Sequence, residues 1–220
     1  MPDSDISPYL EPSLFIDNTH PDVLAEKDKV VSESDSTQEK IIKLYLHVRD
    51  KWRYNPYKLD LRKEQMRASE IIKRPEAYCI EKAILYAALV RAAGIPAKVG
   101  FANVINHIGT EKLEEVLKTN MLVFHGYTLV HYNNQWRVAT PAFNKELCEL
   151  LNVDVLEFDG TEDSMLQHFS KEGDKYMEYV HDYGHFQDLP YDLMLFELKK
   201  HYPHFATAKL ADDGDLIFQI

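Results

Sequence analysis

Residues 78–99 read Tyr78-Cys79-Ile80-Glu81-Lys82-Ala83-Ile84-Leu85-Tyr86-Ala87-Ala88-Leu89-Val90-Arg91-Ala92-Ala93-Gly94-Ile95-Pro96-Ala97-Lys98-Val99, and the fold is decided in this stretch. Ala83, Tyr86, Ala87 and Val90 recur at helical spacing on one face, and an alanine-rich run of this length favours helix intrinsically. The pattern predicts a buried helix. Gly94 supplies a left-handed cap beyond Ala93, Pro96 forbids continuation, and Lys98-Val99-Gly100-Phe101 begins a strand. Cys79 then falls in the first turn, where unsatisfied N–H groups and the positive end of the helix dipole favour a thiolate over a thiol. Two readings compete for it: an activated nucleophile, or one more small buried residue at the head of a core helix.

Further along, Phe124-His125-Gly126-Tyr127-Thr128-Leu129-Val130 predicts a strand, Asn133-Asn134 a turn, and Gln135-Trp136-Arg137-Val138-Ala139-Thr140-Pro141 a second strand. A helix-borne cysteine followed by a histidine on a hairpin strand is an order in which a thiol–imidazole pair assembles from separate elements. His107, in a turn-rich connection, and His131, near the hairpin turn, rank below His125 as the base. His125 and His131 share strand parity, so the residues alone do not separate them.

These elements together resemble the transglutaminase-like superfamily, a papain-like acyl-transfer and peptidase fold. Its pattern joins a Cys at a helix start, a Leu-Leu-Arg-x-x-Gly-Ile-Pro-Ala-Arg run, a His-Ala-Trp-type strand and a Trp-x-x-x-Asp-Pro strand. Here these are Cys79, Leu89 to Lys98, His125-Gly126-Tyr127, and Trp136 to Pro141, so the likeness covers roughly residues 75–142. The resemblance implies an α+β domain whose nucleophile helix packs on an antiparallel sheet, with additional N- and C-terminal helices. It also implies catalysis by Cys79 and His125 on an amide or related acyl bond, through a thioester. The sequence departs from the pattern where the family carries an Asp to orient the histidine: the third position is Thr140. A threonine accepts a hydrogen bond but brings no charge to stabilise an imidazolium. Asn144 is an alternative third group, and equally a helix N-cap ahead of Lys145-Glu146-Leu147-Cys148. A scaffold that keeps the fold and binds a peptide or protein partner without turnover is the competing function.

Composition bounds the rest. The 220 residues suit one domain, with a core at about 36–151, an extended arm at 1–20 and a C-terminal extension at 152–220 packed on the core. A net charge of −11 supplies no basic field for a nucleic acid. Two cysteines, Cys79 and Cys148, indicate a reducing compartment, and no apolar run approaches the roughly 20 residues that span a bilayer. The expectation is a soluble, cytoplasmic protein with a peptide, protein or small amide substrate and no membrane partner. Nothing in the chain indicates a cofactor or a metal. His181 and His185 stand beside carboxylates, but Gly184 between them spoils the single helical face that such a ligand pair uses.

Local signals place the other elements. Pro21 to Val31 reads as a short helix, Ser36 with Glu39 as a capping box, and Ile41, Tyr45, Val48 and Trp52 as the buried stripe of the helix that follows. Ser69 reads as the cap of a helix through Arg74, and Tyr54 and Tyr57 as surface aromatics covering a loop, whereas the family resemblance implies that they line the substrate cleft. Glu81 and Lys82 read as a solvated pair on the outer face of the Cys79 helix. Thr110 to Thr119 predicts an amphipathic helix, Val153 to Phe158 a strand, and 174–182 and 191–201 two further helices.

Overall fold

The structure is a computed structural model that describes residues 5–58, 60–107, 111–166 and 170–204. Helices α1 (Pro21–Asp28) and α2 (Thr37–Lys51) open the chain, after a 3-10 turn at Ser7–Tyr9. Ser36 and Glu39 cap α2 reciprocally, as their spacing predicts, and Ile41, Tyr45, Val48 and Trp52 are all buried. Strand β1 (Arg53–Tyr54), helix α3 (Ala68–Ile71) and strand β2 (Glu76–Ala77) lead to α4 (Cys79–Ala92). The β1–β2 pair is parallel and brings Tyr54 opposite Ala77, two residues before Cys79.

The main sheet comprises β3 (Ala97–Asn106), β4 (Met121–Tyr132), β5 (Gln135–Ala139) and β6 (Met177–Phe186), in the order β5-β4-β3-β6 and antiparallel throughout. Helices α5 (Glu111–Leu117), α6 (Lys145–Leu150) and α7 (Tyr191–His201) complete the described elements. The chain thus folds as α+β, with the central helix on an antiparallel sheet. Helix α4 packs on β3 and β4, and the Thr128 hydroxyl donates to the Ala83 carbonyl at 3.0 Å across that interface. Ala83, Ile84, Leu85, Tyr86, Ala87, Ala88, Leu89 and Val90 are all fully buried, so this middle stretch of the helix is apolar on every side.

The helix ends as its sequence dictates. Gly94 holds φ at +79°, its N–H donates to Arg91 O at 2.9 Å, and the N–H of Ile95 donates to Val90 O at 3.1 Å. This pair of bonds is a Schellman motif, with Ile95 entering the core. Arg91, the arginine of the Arg-x-x-Gly-Ile-Pro-Ala run, then ties three segments together. Its Nε donates to Ala97 O at 2.9 Å, Nη1 to Glu11 O at 2.8 Å and Nη2 to Gln187 O at 2.5 Å.

Several expectations are corrected. Glu81 and Lys82 are fully buried rather than solvated. Glu81 accepts from the Tyr78 N–H and from Arg74, both at 2.7 Å, while Lys82 Nζ donates to Arg49 O and Trp52 O, both at 2.8 Å, closing the C-terminus of α2. The helix expected at 174–182 does not form, and from Met177 onward the segment is β6, where register shifts beside Ala102 and Asn103 disguise the alternation. The segment from Val153 to Phe158 forms no strand; Val153 makes only an isolated bridge with Ser170. Ser69 lies inside α3, whose N-cap residue is Arg67, and its hydroxyl donates to Asp17 Oδ2 at 2.5 Å. Helix α7 matches its predicted span, while Thr110 and residues 205–220 lie outside the described residues. Among the described residues no helix is long and apolar enough to cross a membrane, and no group of three or more His, Cys, Asp or Glu could hold a metal ion.

Candidate active site

Cys79 is the first residue of α4, so the N–H groups around it have no acceptor within the helix. Gly126 of β4 abuts this turn. A β-carbon there would lie 2.8 Å from Ile80 Cα and 3.1 Å from Cys79 O, so only glycine fits without moving strand or helix. Cys79 as a whole is only 1% exposed. Burial pushes the Cys79 thiol up to about 12, against the Gly126 and Ile80 N–H groups and the Tyr78 hydroxyl, which favour the thiolate.

His125 precedes Gly126 and lies opposite Ala102 on β3. Gly126 and Thr128 face α4, so strand alternation puts His125 on the face that carries Tyr127 and Leu129. The ring is buried, burial holds its imidazole down to about 4, and neither ring nitrogen has a hydrogen-bond partner. It is Gly126, the next residue, that meets the Cys79 turn, and no hydrogen bond joins Cys79 to the His125 ring. His107 pairs with Glu178 at 3.3 Å and His131 packs on Trp136 at 5.0 Å between ring centroids.

The two candidate third groups lie apart from the imidazole nitrogens. Thr140 is buried, and its hydroxyl is turned toward Tyr179 without reaching hydrogen-bond geometry. Asn144 occupies the N-cap position of α6, yet its side chain does not cap the helix. Its Oδ1 accepts from the Tyr54 N–H at 3.0 Å and its Nδ2 donates to Glu146 at 2.7 Å.

Tyrosines gather near the sulfur, and of these sequence reasoning offered only Tyr54 as cleft-lining. Tyr54 and Tyr78 face Cys79, and Tyr179 and Tyr202 lie within electrostatic range of it, while Tyr176 is similarly close to Tyr54. Tyr54 and Phe143 meet edge to face at 4.7 Å, and Phe143 and Tyr176 lie 6.3 Å apart. The hydroxyls of Tyr54, Tyr176 and Tyr179, both nitrogens of His125 and the hydroxyl of Thr140 are buried without a partner. Each such atom costs on the order of 1–3 kcal/mol, and folded proteins tolerate few of them. Of this set, Tyr54 faces Cys79 and Tyr179 lies within electrostatic range of it.

The chain belongs to the transglutaminase-like superfamily, whose family model matches residues 25–141, just over half its length. Among solved structures it is similar to "a Putative Cysteine Protease from Cytophaga hutchinsonii", at 20% identity and a TM-score of 0.50 over 64% of this chain and 43% of that one. A second, "a putative protease from Parabacteroides distasonis", matches at 14% identity and a TM-score of 0.37 over 53% of this chain and 22% of that one. The chain thus spans less than half the length of either structure. Comparison with curated proteins finds no match. The fold is papain-like.

Proposed function

We propose that the chain is a cysteine-dependent acyl-transfer enzyme acting on an amide or related acyl bond, and that the arrangement described above is its closed form. The observation that carries this reading is the place of Cys79 as the first residue of α4, hard against Gly126, the residue that follows His125. Backbone N–H groups fixed at a helix terminus stabilise an anion at no reorganisation cost, whether the thiolate or the oxyanion that follows attack. In the reaction the sulfur attacks the acyl carbon, the C–N bond breaks, and His125 passes the thiol proton to the leaving amine. Water or a second amine then cleaves the thioester. The substrate in this reading is a peptide, protein or small amide in the cytoplasm. Because the sulfur is buried, turnover requires the tyrosine-bearing segments to move aside.

A second reading, a scaffold that binds a peptide or protein without turnover, draws on a specific observation. Thr140 stands where the family pattern has Asp, and no side chain hydrogen-bonds the His125 ring. Incubation with an activated acetyl ester, followed by peptide mass spectrometry, tests the two. An acetyl adduct on Cys79 that is absent from His125→Ala supports the enzyme. No adduct on Cys79 across the neutral and alkaline range would refute it.

A further inference from the structure

The strand that carries His125 is not regular. On β4, Leu122 pairs with Val104 and His125 with Ala102, so Val123 and Phe124 together oppose the single residue Asn103. This is a β-bulge, and Phe124 within it has φ at +61°, a left-handed conformation that a bulky side chain adopts only when its surroundings impose it. Strain of this kind persists only where neighbouring contacts overdetermine it.

Those contacts come from two directions. Asn103 Oδ1 accepts the Phe124 N–H at 3.0 Å, taking the bond that the ladder drops. Tyr202, beyond α7, accepts the Val123 N–H at 2.8 Å and donates its hydroxyl to Met121 O at 2.7 Å. The Phe124 ring stacks on Phe101 at 4.5 Å and lies 4.9 Å from Tyr183. The Tyr183 hydroxyl stands 3.1 Å from Asn103 Oδ1 and 3.0 Å from Glu197, and its single proton serves one of them at a time. Asn103 is itself buried.

We infer that Asn103 and Tyr202 are positioning residues that set the aim of the His125 ring by clamping the left-handed bulge immediately before it. The inference rests on the reading of His125 as the base for Cys79. Without the clamp Phe124 relaxes to an extended conformation, β4 regains a regular ladder, and the direction of the next side chain changes. The clamp joins the C-terminal segment to the site, for Tyr202 and Glu197 both lie after β6.

The test uses the full chain. Asn103→Leu keeps the volume and removes the acceptor; Asn103→Asp keeps an acceptor oxygen. The two readouts are the His125 ring resonances, assigned by their loss in His125→Ala, and the rate at which the acetyl ester modifies Cys79. In folded Asn103→Leu the ring resonances should shift and the acylation rate fall by about ten- to a hundredfold, the effect expected of a displacement near 1 Å, with Asn103→Asp restoring both. Unchanged ring resonances in folded Asn103→Leu would overturn the clamp while leaving the enzyme reading intact. Acylation of Cys79 undiminished in His125→Ala would instead remove the base on which the inference rests. Should Asn103→Leu fail to fold, Tyr202→Phe, which deletes only a hydroxyl, carries the same measurement and the same refuting result.

Discussion

The buried imidazole of His125 makes a quantitative claim about acid stability. Burial holds it down to about 4 in the folded chain, against 6.5 when exposed. Between these values the unfolded chain binds a proton that the native state refuses, so stability rises with pH through the window and falls as the solution is acidified. The contribution is fully present above 6.5, and by about pH 5 the linkage relation removes roughly 2 kcal/mol of it. At about 2–4 °C per kcal/mol for a chain of this size, wild type should lose some 4–8 °C of melting temperature to this one residue on going from pH 7 to 5. His125→Gln, neutral throughout, should lack that component. The assay is thermal unfolding of both proteins across this range, followed by circular dichroism, with the difference between the two curves as the readout. Parallel curves would refute the reasoning. They would mean that the imidazole is solvated or charge-paired in solution, and that the closed site is not the resting state.

Other outcomes follow from the same geometry. A β-carbon at Gly94 meets no atom within 4 Å, so the penalty of Gly94→Val comes chiefly from the positive φ, about 1–2 kcal/mol and a melting temperature lower by a few degrees. Arg91→Met leaves the Glu11, Ala97 and Gln187 carbonyls without their donor; limited proteolysis should then cut near residues 11 and 187 well before wild type is cut there. With Cys79 and Cys148 both buried, iodoacetamide should label neither quickly in the closed form. Cys79 should outpace Cys148 once opening exposes it, and equal slow rates would return Cys79 to the core. If the thiol stays near 12, labelling of Cys79 should climb steadily with alkaline pH; a plateau near neutrality would show a thiolate–imidazolium pair forming on opening.

What could be read from residues alone was local. The Cys79 helix, its glycine stop and the capping box at Ser36 each depend on neighbours within a few positions, and all three stand as expected. The charged pair Glu81-Lys82 was misplaced because its partners come from elsewhere: Arg74 from the preceding segment, and the carbonyls of Arg49 and Trp52 from the end of another helix. Likewise β6 carries Met177, Tyr179, Val180 and Tyr183 at spacings that satisfy a helix as well as a strand, and only pairing with β3 decides between them. Beyond Tyr54, the grouping of tyrosines near Cys79 was invisible for a related reason. Tyr54, Tyr78, Tyr176, Tyr179 and Tyr202 are scattered along the chain, and no spacing rule links them.

The reach of Arg91 bears on how the chain matures on the ribosome. Gln187, which accepts one of its bonds, follows it by 96 residues, and β6, which closes the open edge of β3, is made in the same late interval. At a synthesis rate of about 5–20 residues per second, the guanidinium waits on the order of 5–20 s for its last acceptor. During that time β3 presents one unpaired edge, so the nascent chain passes through a stage in which its central strand can recruit foreign strands, and rapid translation through residues 92–187 shortens it.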